Sequence, residues 1–181
     1  APSDLDTVRK TTDFKVSPNI DTFQLETSPG IYRNWEIGGD YEFNTQAGNR
    51  WKILFISNAL ESANTRERYD VLSETSKEKN LFLDSWSNTK ERIVRGSYTF
   101  DLFESQDIEV GAERAQTILD SKLALGLSGV TGTPSQSVGG LIPMPVSNAN
   151  STVEEMRYEP FLIHNWIISQ EMSLETSVLY E

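Results

Sequence analysis

Apolar and polar residues alternate with a period of two along several stretches of this chain. From Arg92 to Glu104, Val94, Tyr98, Phe100 and Leu102 fall on one side, with Gly96 among them, and Arg95, Ser97, Thr99 and Asp101 on the other. Such alternation predicts a strand with one buried and one wetted face, the common arrangement in antiparallel sheets. Met172, Leu174, Thr176, Val178 and Tyr180 alternate in the same way with Glu171, Ser173, Glu175 and Ser177. They predict a closing strand over 171–179, joined near Ser169-Gln170 to another over 157–168. Trp51 to Ile56 is apolar on both sides apart from Lys52, which predicts a central strand covered on both faces. Shorter strands are expected at 20–26 and 81–86. Gly38-Gly39-Asp40, flanked by Tyr32–Ile37 and Tyr41–Phe43, reads as a hairpin. Ser28-Pro29-Gly30 and Gln46–Asn49 read as turns.

Two stretches carry a helical signal instead. Ala112, Ala115, Ile118, Leu119 and Leu123 lie on one stripe at helical spacing. Glu113 and Lys122 suit the two ends of a helix dipole, and Gly126 suits the C-cap. A helix is therefore predicted over about 110–125. Asn64 with Glu67 resembles a capping box and predicts a second, thinner helix over 65–77, burying Tyr69 and Leu72. Residues 1–18, ending in Ser17-Pro18, read as a polar arm. Residues 19–181 read as a single globular domain with a long loop at 126–152. The predicted fold class is α+β, mainly antiparallel β-sheet or sandwich with one or two helices.

Composition narrows the function classes. The 181 residues include no cysteine and one histidine, His164, so the side chains most used in neutral-pH catalysis and metal binding are nearly missing. Eighteen aromatics supply large areas for burial. No apolar run reaches the ~18 residues of a helical membrane span, and no basic and apolar leader pattern opens the chain. The absence of cysteine favours a cytoplasmic or particle-associated location over a disulfide-rich extracellular one. The net charge of −11 is concentrated after residue 98, where 12 acidic residues face only 3 basic ones. That field disfavours nucleic acid and anionic membranes as partners.

The possible chemistry is sparse. Gly126, Gly129 and Gly132 follow the predicted helix and match neither a dinucleotide fingerprint nor a phosphate loop. Asp40, Glu42 and Asn44 begin like a calcium loop, but Thr45 and Trp51 stand where Gly and Glu are required; Asp4 and Asp6 are a weaker pair. Asn150-Ser151-Thr152 forms a glycosylation sequon. His164 has no partnered serine turn and no recognisable set of co-ligands. A glycosidase needs only two carboxylates across a cleft. Glu36, Glu42, Asp101, Glu159 and Glu171 on predicted strands are candidates, with Trp35, Trp51, Trp86 and Trp166 as sugar platforms.

The 126–152 loop carries an apolar segment, Leu141-Ile142-Pro143-Met144-Pro145-Val146, whose prolines impose an extended course. Loops of this length are usually functional or disordered, and large apolar side chains gain ~1.5–3 kcal/mol each on burial. These six residues are the predicted partner-binding segment. The expected function is a non-enzymatic structural or assembly subunit making protein–protein contacts, such as a virus or phage particle component. Its partner would be protein, in a homo-oligomer or larger assembly, with no nucleic acid or membrane partner. No catalytic residue, metal or cofactor is assigned. The alternatives are a carbohydrate- or ligand-binding β domain and a carboxylate-dependent glycosidase.

Overall fold

The computed structural model describes residues 2–3, 5–13 and 20–180. Ser17-Pro18 and Asp4 lie outside them. The strands are β1 (Pro2–Ser3), β2 (Asp6–Asp13), β3 (Ile20–Thr27), β4 (Gly30–Asn44), β5 (Arg50–Ser73), β6 (Ser76–Phe103), β7 (Gln106–Leu127), β8 (Ile142–Met144), β9 (Asn150–Ser169) and β10 (Met172–Leu179). They form one mainly antiparallel sheet in the order β1-β4-β5-β6-β7-β9-β10, with β2 paired to β3, β3 to β5 and β8 to β7. The sheet part of the predicted fold class is thus observed.

The predicted helices are not. Among the described residues the only helical element is a single 3₁₀ turn, Gln136–Val138. The 110–125 segment lies inside β7, and 65–77 covers the end of β5, a turn and the start of β6. The stripe in β7 competes with a second pattern: Ile108, Val110 and Ala112 alternate with Asp107, Glu109 and Glu113. Residues 112–125 are rich in good helix formers, but pairing on both sides, to β6 and β9, overrides that propensity and favours the extended form. The expected capping box is used otherwise. The Asn64 amide donates to Ser28 Oγ at 3.1 Å and to the Pro29 carbonyl at 3.3 Å, which fixes the turn between β3 and β4. Gly38-Gly39-Asp40 is not a hairpin but the middle of β4, where a Cβ on Gly38 would sit 3.3 Å from the Phe55 carbonyl oxygen.

The chain divides into two compact units. Unit 1 comprises Ala1–Asn34, Leu60–Thr89 and Leu119–Val153; unit 2 comprises Trp35–Ala59, Lys90–Ile118 and Glu154–Glu181. In unit 1, β2 of the predicted arm docks on β3 over its whole length, from Asp6↔Thr27 to Asp13↔Ile20. β3 then pairs with β5 from Phe23↔Val71 to Thr27↔Glu67. Arg66 closes on Glu26 at 2.7 Å beside this ladder. The segment after β7 folds back as β8, with Leu125↔Met144 and Leu127↔Ile142 in register. Val138 packs onto Gly126, where an added Cβ would meet Val138 at 2.8 Å. The Lys79 ammonium donates to Glu67 at 2.6 Å and to the Gly139 carbonyl at 3.3 Å, latching the loop to β5 and β6. Gly139 itself adopts a left-handed φ of 66°. In unit 2, β4 and β5 are joined by a turn over 45–49, β6 and β7 by 104–105, and β9 and β10 by 170–171. The Gln46–Asn49 turn and the junction at Ser169-Gln170 stand where the sequence places them.

Side-chain burial is slight. Among the described residues the only buried apolar side chains other than glycine are Ala115 and Val138, at 6% and 4% exposure. The expected double cover over Trp51–Ile56 is absent, since Trp51, Ile53 and Phe55 are all exposed.

The latch has a defined pH range. Hydrogen bonding from Lys79, and then from Tyr69, holds the Glu67 carboxyl below its ordinary range, while Glu67 raises Lys79. A lowered acid stabilises above its unfolded value and loses that contribution as pH falls through the folded one; a raised base does the reverse in alkali. The latch is therefore intact from about pH 5 to pH 10. For this partly exposed pair it contributes about 0.5–1 kcal/mol. The protection of the Gly139–Leu141 amides against hydrogen exchange, taken relative to the intrinsic rate at each pH, is expected to fall about two- to fivefold below that range in the native chain. In Lys79→Met the same loss of protection should be present already at neutral pH.

Candidate functional site

In unit 2 the alternation sorts side chains onto two faces. Glu42 of β4, Arg50, Lys52 and Leu54 of β5, Arg95 and Ser97 of β6, and Glu109 of β7 surround one hollow. Arg95, Glu113, Glu159 and Ser177 line a neighbouring hollow together with Phe161, Ile163, Val178 and Leu179, so this face turns partly apolar at β9 and β10. Arg157 pairs there with Glu113 at 3.6 Å and with Glu159. Asn165 donates to Asp107 at 2.8 Å. This is the polar face.

The intervening residues point the other way. They are Trp35, Ile37, Tyr41 and Phe43 of β4, Trp51, Ile53 and Phe55 of β5, and Val94, Tyr98, Phe100 and Leu102 of β6. Ring contacts confirm the shared side: Trp51 to Tyr98 at 4.4 Å and Tyr98 to Phe100 at 5.6 Å between centroids. Further along, Leu174 stands opposite Trp166 and Val178 opposite Leu162 in the β9–β10 register. All four are exposed. The apolar face is therefore broad, continuous across neighbouring strands and uncovered. Exposed apolar patches beyond a few hundred Å² mark interaction surfaces.

The predicted partner-binding segment lies elsewhere. Leu141, Ile142, Pro143, Met144, Pro145 and Val146 belong to unit 1, where Ile142, Pro143 and Met144 pair with β7. Leu141, Ile142, Met144 and Val146 are half-buried there, and the two prolines are exposed. Much of the segment's apolar surface is thus met by its own chain.

The other candidates disperse. His164 Nε2 contacts Gln106 Oε1 at 3.0 Å, a strand-to-strand contact. Trp86 donates through Nε1 to Glu61 at 2.9 Å, with the Lys122 ammonium 5.2 Å from its ring centroid. Trp35, Trp51 and Trp166 belong to the apolar face. Glu42 faces the first hollow and Glu159 the second, while Glu36, Asp101 and Glu171 line neither. Gly126 carries Val138, and Gly132 approaches Ile142. Among the described residues no cluster of three or more acidic, His or Cys side chains is arranged to hold a metal ion. Sequence reasoning missed the apolar face in β4, because Gly38-Gly39 was read as a break. The signal was present as Trp35, Ile37, Tyr41 and Phe43 alternating with Glu36, Asp40 and Glu42. Comparison with family models, curated proteins and solved structures found no match.

Glycine supports the polar face at one point. A Cβ on Gly111 would collide with the Phe161 ring and lie 2.6 Å from the Gly96 carbonyl oxygen, whereas one on Gly39 meets nothing. Gly111→Ala is expected to lower stability by about 1–3 kcal/mol through overpacking. Gly39→Ala should stay within about 0.5 kcal/mol. Chemical denaturation of the two variants checks this.

Proposed function

We propose that this chain is a non-enzymatic structural element, a section of β-barrel wall whose apolar face in unit 2 meets lipid and whose opposite face meets water. The observation that carries the reading is the uncovered apolar face itself, set against a polar face on the same strands. A strand crosses the hydrocarbon of a bilayer in about 9–11 residues. The apolar alternation occupies Trp35–Phe43 in β4 and Val94–Leu102 in β6, nine residues in each. Aromatic residues, which gather at the two interfaces of such walls, stand at or near the ends: Trp35, Tyr41 and Phe43 in β4, Trp51 in β5, and Phe100 in β6.

This reading keeps the expectation of a structural subunit with a surface that needs a partner, and it changes the partner. Among the described residues no helix is long and apolar enough to cross a membrane. The expectation of no membrane partner rested on apolar run length, which does not bear on strands that alternate, and on net charge, which disfavours anionic headgroups and leaves the hydrocarbon interior unaffected. The alternative, a soluble assembly in which copies of the chain cover one another's apolar faces, draws on the same exposed surface.

Because the chain has no cysteine, single-cysteine variants separate the two. In phospholipid vesicles, Ile37→Cys, Ile53→Cys and Leu174→Cys are expected to resist a water-soluble maleimide and react with a lipid-soluble one. Glu36→Cys and Lys52→Cys are expected to react with the water-soluble reagent. Equal labelling of both faces, or a chain that stays out of vesicles as a uniform soluble oligomer, would defeat the lipid reading. The oligomer result would support the assembly reading.

A further inference from the structure

The hollow on the polar face of unit 2 gathers charge without pairing it. Arg50 and Lys52 of β5 and Arg95 of β6 line it, flanked by Glu42 of β4 and Glu109 of β7, in a cavity of about 360 Å³. None of these five side chains takes part in an ion pair among the described residues, although Arg157, nearby on this face, pairs with both Glu113 and Glu159. Three unpaired cations around one hollow run against a chain whose net charge is −11. Arg95 is also held in place: its guanidinium lies 4.2 Å from the Phe161 ring centroid, and Phe161 is itself seated on Gly111. A guanidinium stacked on a ring keeps its N–H edges free for a planar or tetrahedral oxyanion. Ser97, 8% exposed, adds a hydroxyl group to the lining.

We infer that this hollow binds a small hydroxylated oxyanion, of the sugar phosphate or hydroxycarboxylate class. Arg50, Lys52 and Arg95 hold the anionic group. Glu42 and Glu109 accept hydrogen bonds from the hydroxyls, which gives those carboxylates a task that an oxyanion alone does not. The site lies on the face opposite the apolar one, so it stands whichever partner covers that face.

Calorimetric titration of the full folded chain, its strand content checked by circular dichroism, tests this with glucose 1-phosphate, inorganic phosphate and glucose as probes. Glucose 1-phosphate is expected to bind saturably at one site, inorganic phosphate more weakly, and glucose not at all. Arg95→Gln and Lys52→Gln should each weaken glucose 1-phosphate by about tenfold or more, the loss of a charge-assisted hydrogen bond. Arg92→Gln, outside the hollow, should leave it unchanged. Glu109→Gln should weaken glucose 1-phosphate without weakening inorganic phosphate. Absence of saturable binding by either anion, or binding that Arg95→Gln and Lys52→Gln leave intact, overturns the site. Equal binding of both anions that ignores Glu109→Gln overturns the hydroxylated class.

Discussion

Main-chain hydrogen bonding between neighbouring strands holds this structure together, because side-chain burial does not. A soluble domain of this size normally balances chain entropy with a core sealed from water. Here the ladder runs from β1 to β10 with almost nothing sealed beneath it. Each face of the sheet must therefore be matched to its own surroundings. On the polar face that match is visible in Arg157 between two glutamates and in Asn165 on Asp107. On the apolar face Trp35, Ile37, Ile53 and Phe55 stand exposed, with no such match among the described residues.

The two faces differ in chemistry as well as polarity. On the apolar side Trp51 of β5 meets Tyr98 of β6 across the strands, and Tyr98 stacks with Phe100 along β6; a cross-strand aromatic pair adds roughly 0.2–1 kcal/mol. Charged groups stand on the other side of the same strands. A one-residue slip of any strand would exchange the two sets, so register and function are bound to the same property. Gly111 under Phe161 shows how closely that register is fitted: the ring occupies the space of a missing side chain.

Period-two alternation made the sheet legible wherever it ran unbroken, as in Val94–Leu102 and Met172–Val178. It was obscured where glycines interrupted it at Gly38-Gly39. It was also obscured where small residues fit two periods at once, as Ala112, Ala115 and Ile118 do in β7. Spacing alone does not choose between a helix face and a strand paired on both sides; the neighbours choose. The apolar face was not legible as a surface, because each strand shows only its own alternation. The usual inference from alternation, one side in a core, supplied a second layer that the structure lacks. The Leu141–Val146 segment differs: its composition marks it as needing cover, and β7 pairs with Ile142–Met144 while both prolines stay exposed.

Lipid over the apolar face, as proposed, would also place a demand on the sheet. In hydrocarbon, water cannot serve an unpaired main-chain N–H or C=O, so only closed ladders persist there. Among the described residues β10 pairs with β9 alone. Its sequence, Met-Ser-Leu-Glu-Thr-Ser-Val-Leu, contains no proline and no lysine, the residues that commonly blunt an exposed edge. Its alternation continues that of β9, with Leu174 and Val178 on the apolar side and Glu175 and Ser177 on the other. An edge built in this way is suited to receive another strand of the same pattern. A wall that met lipid on one face would therefore need a neighbour along its edge, so the proposed reading ties the apolar surface to the β10 edge.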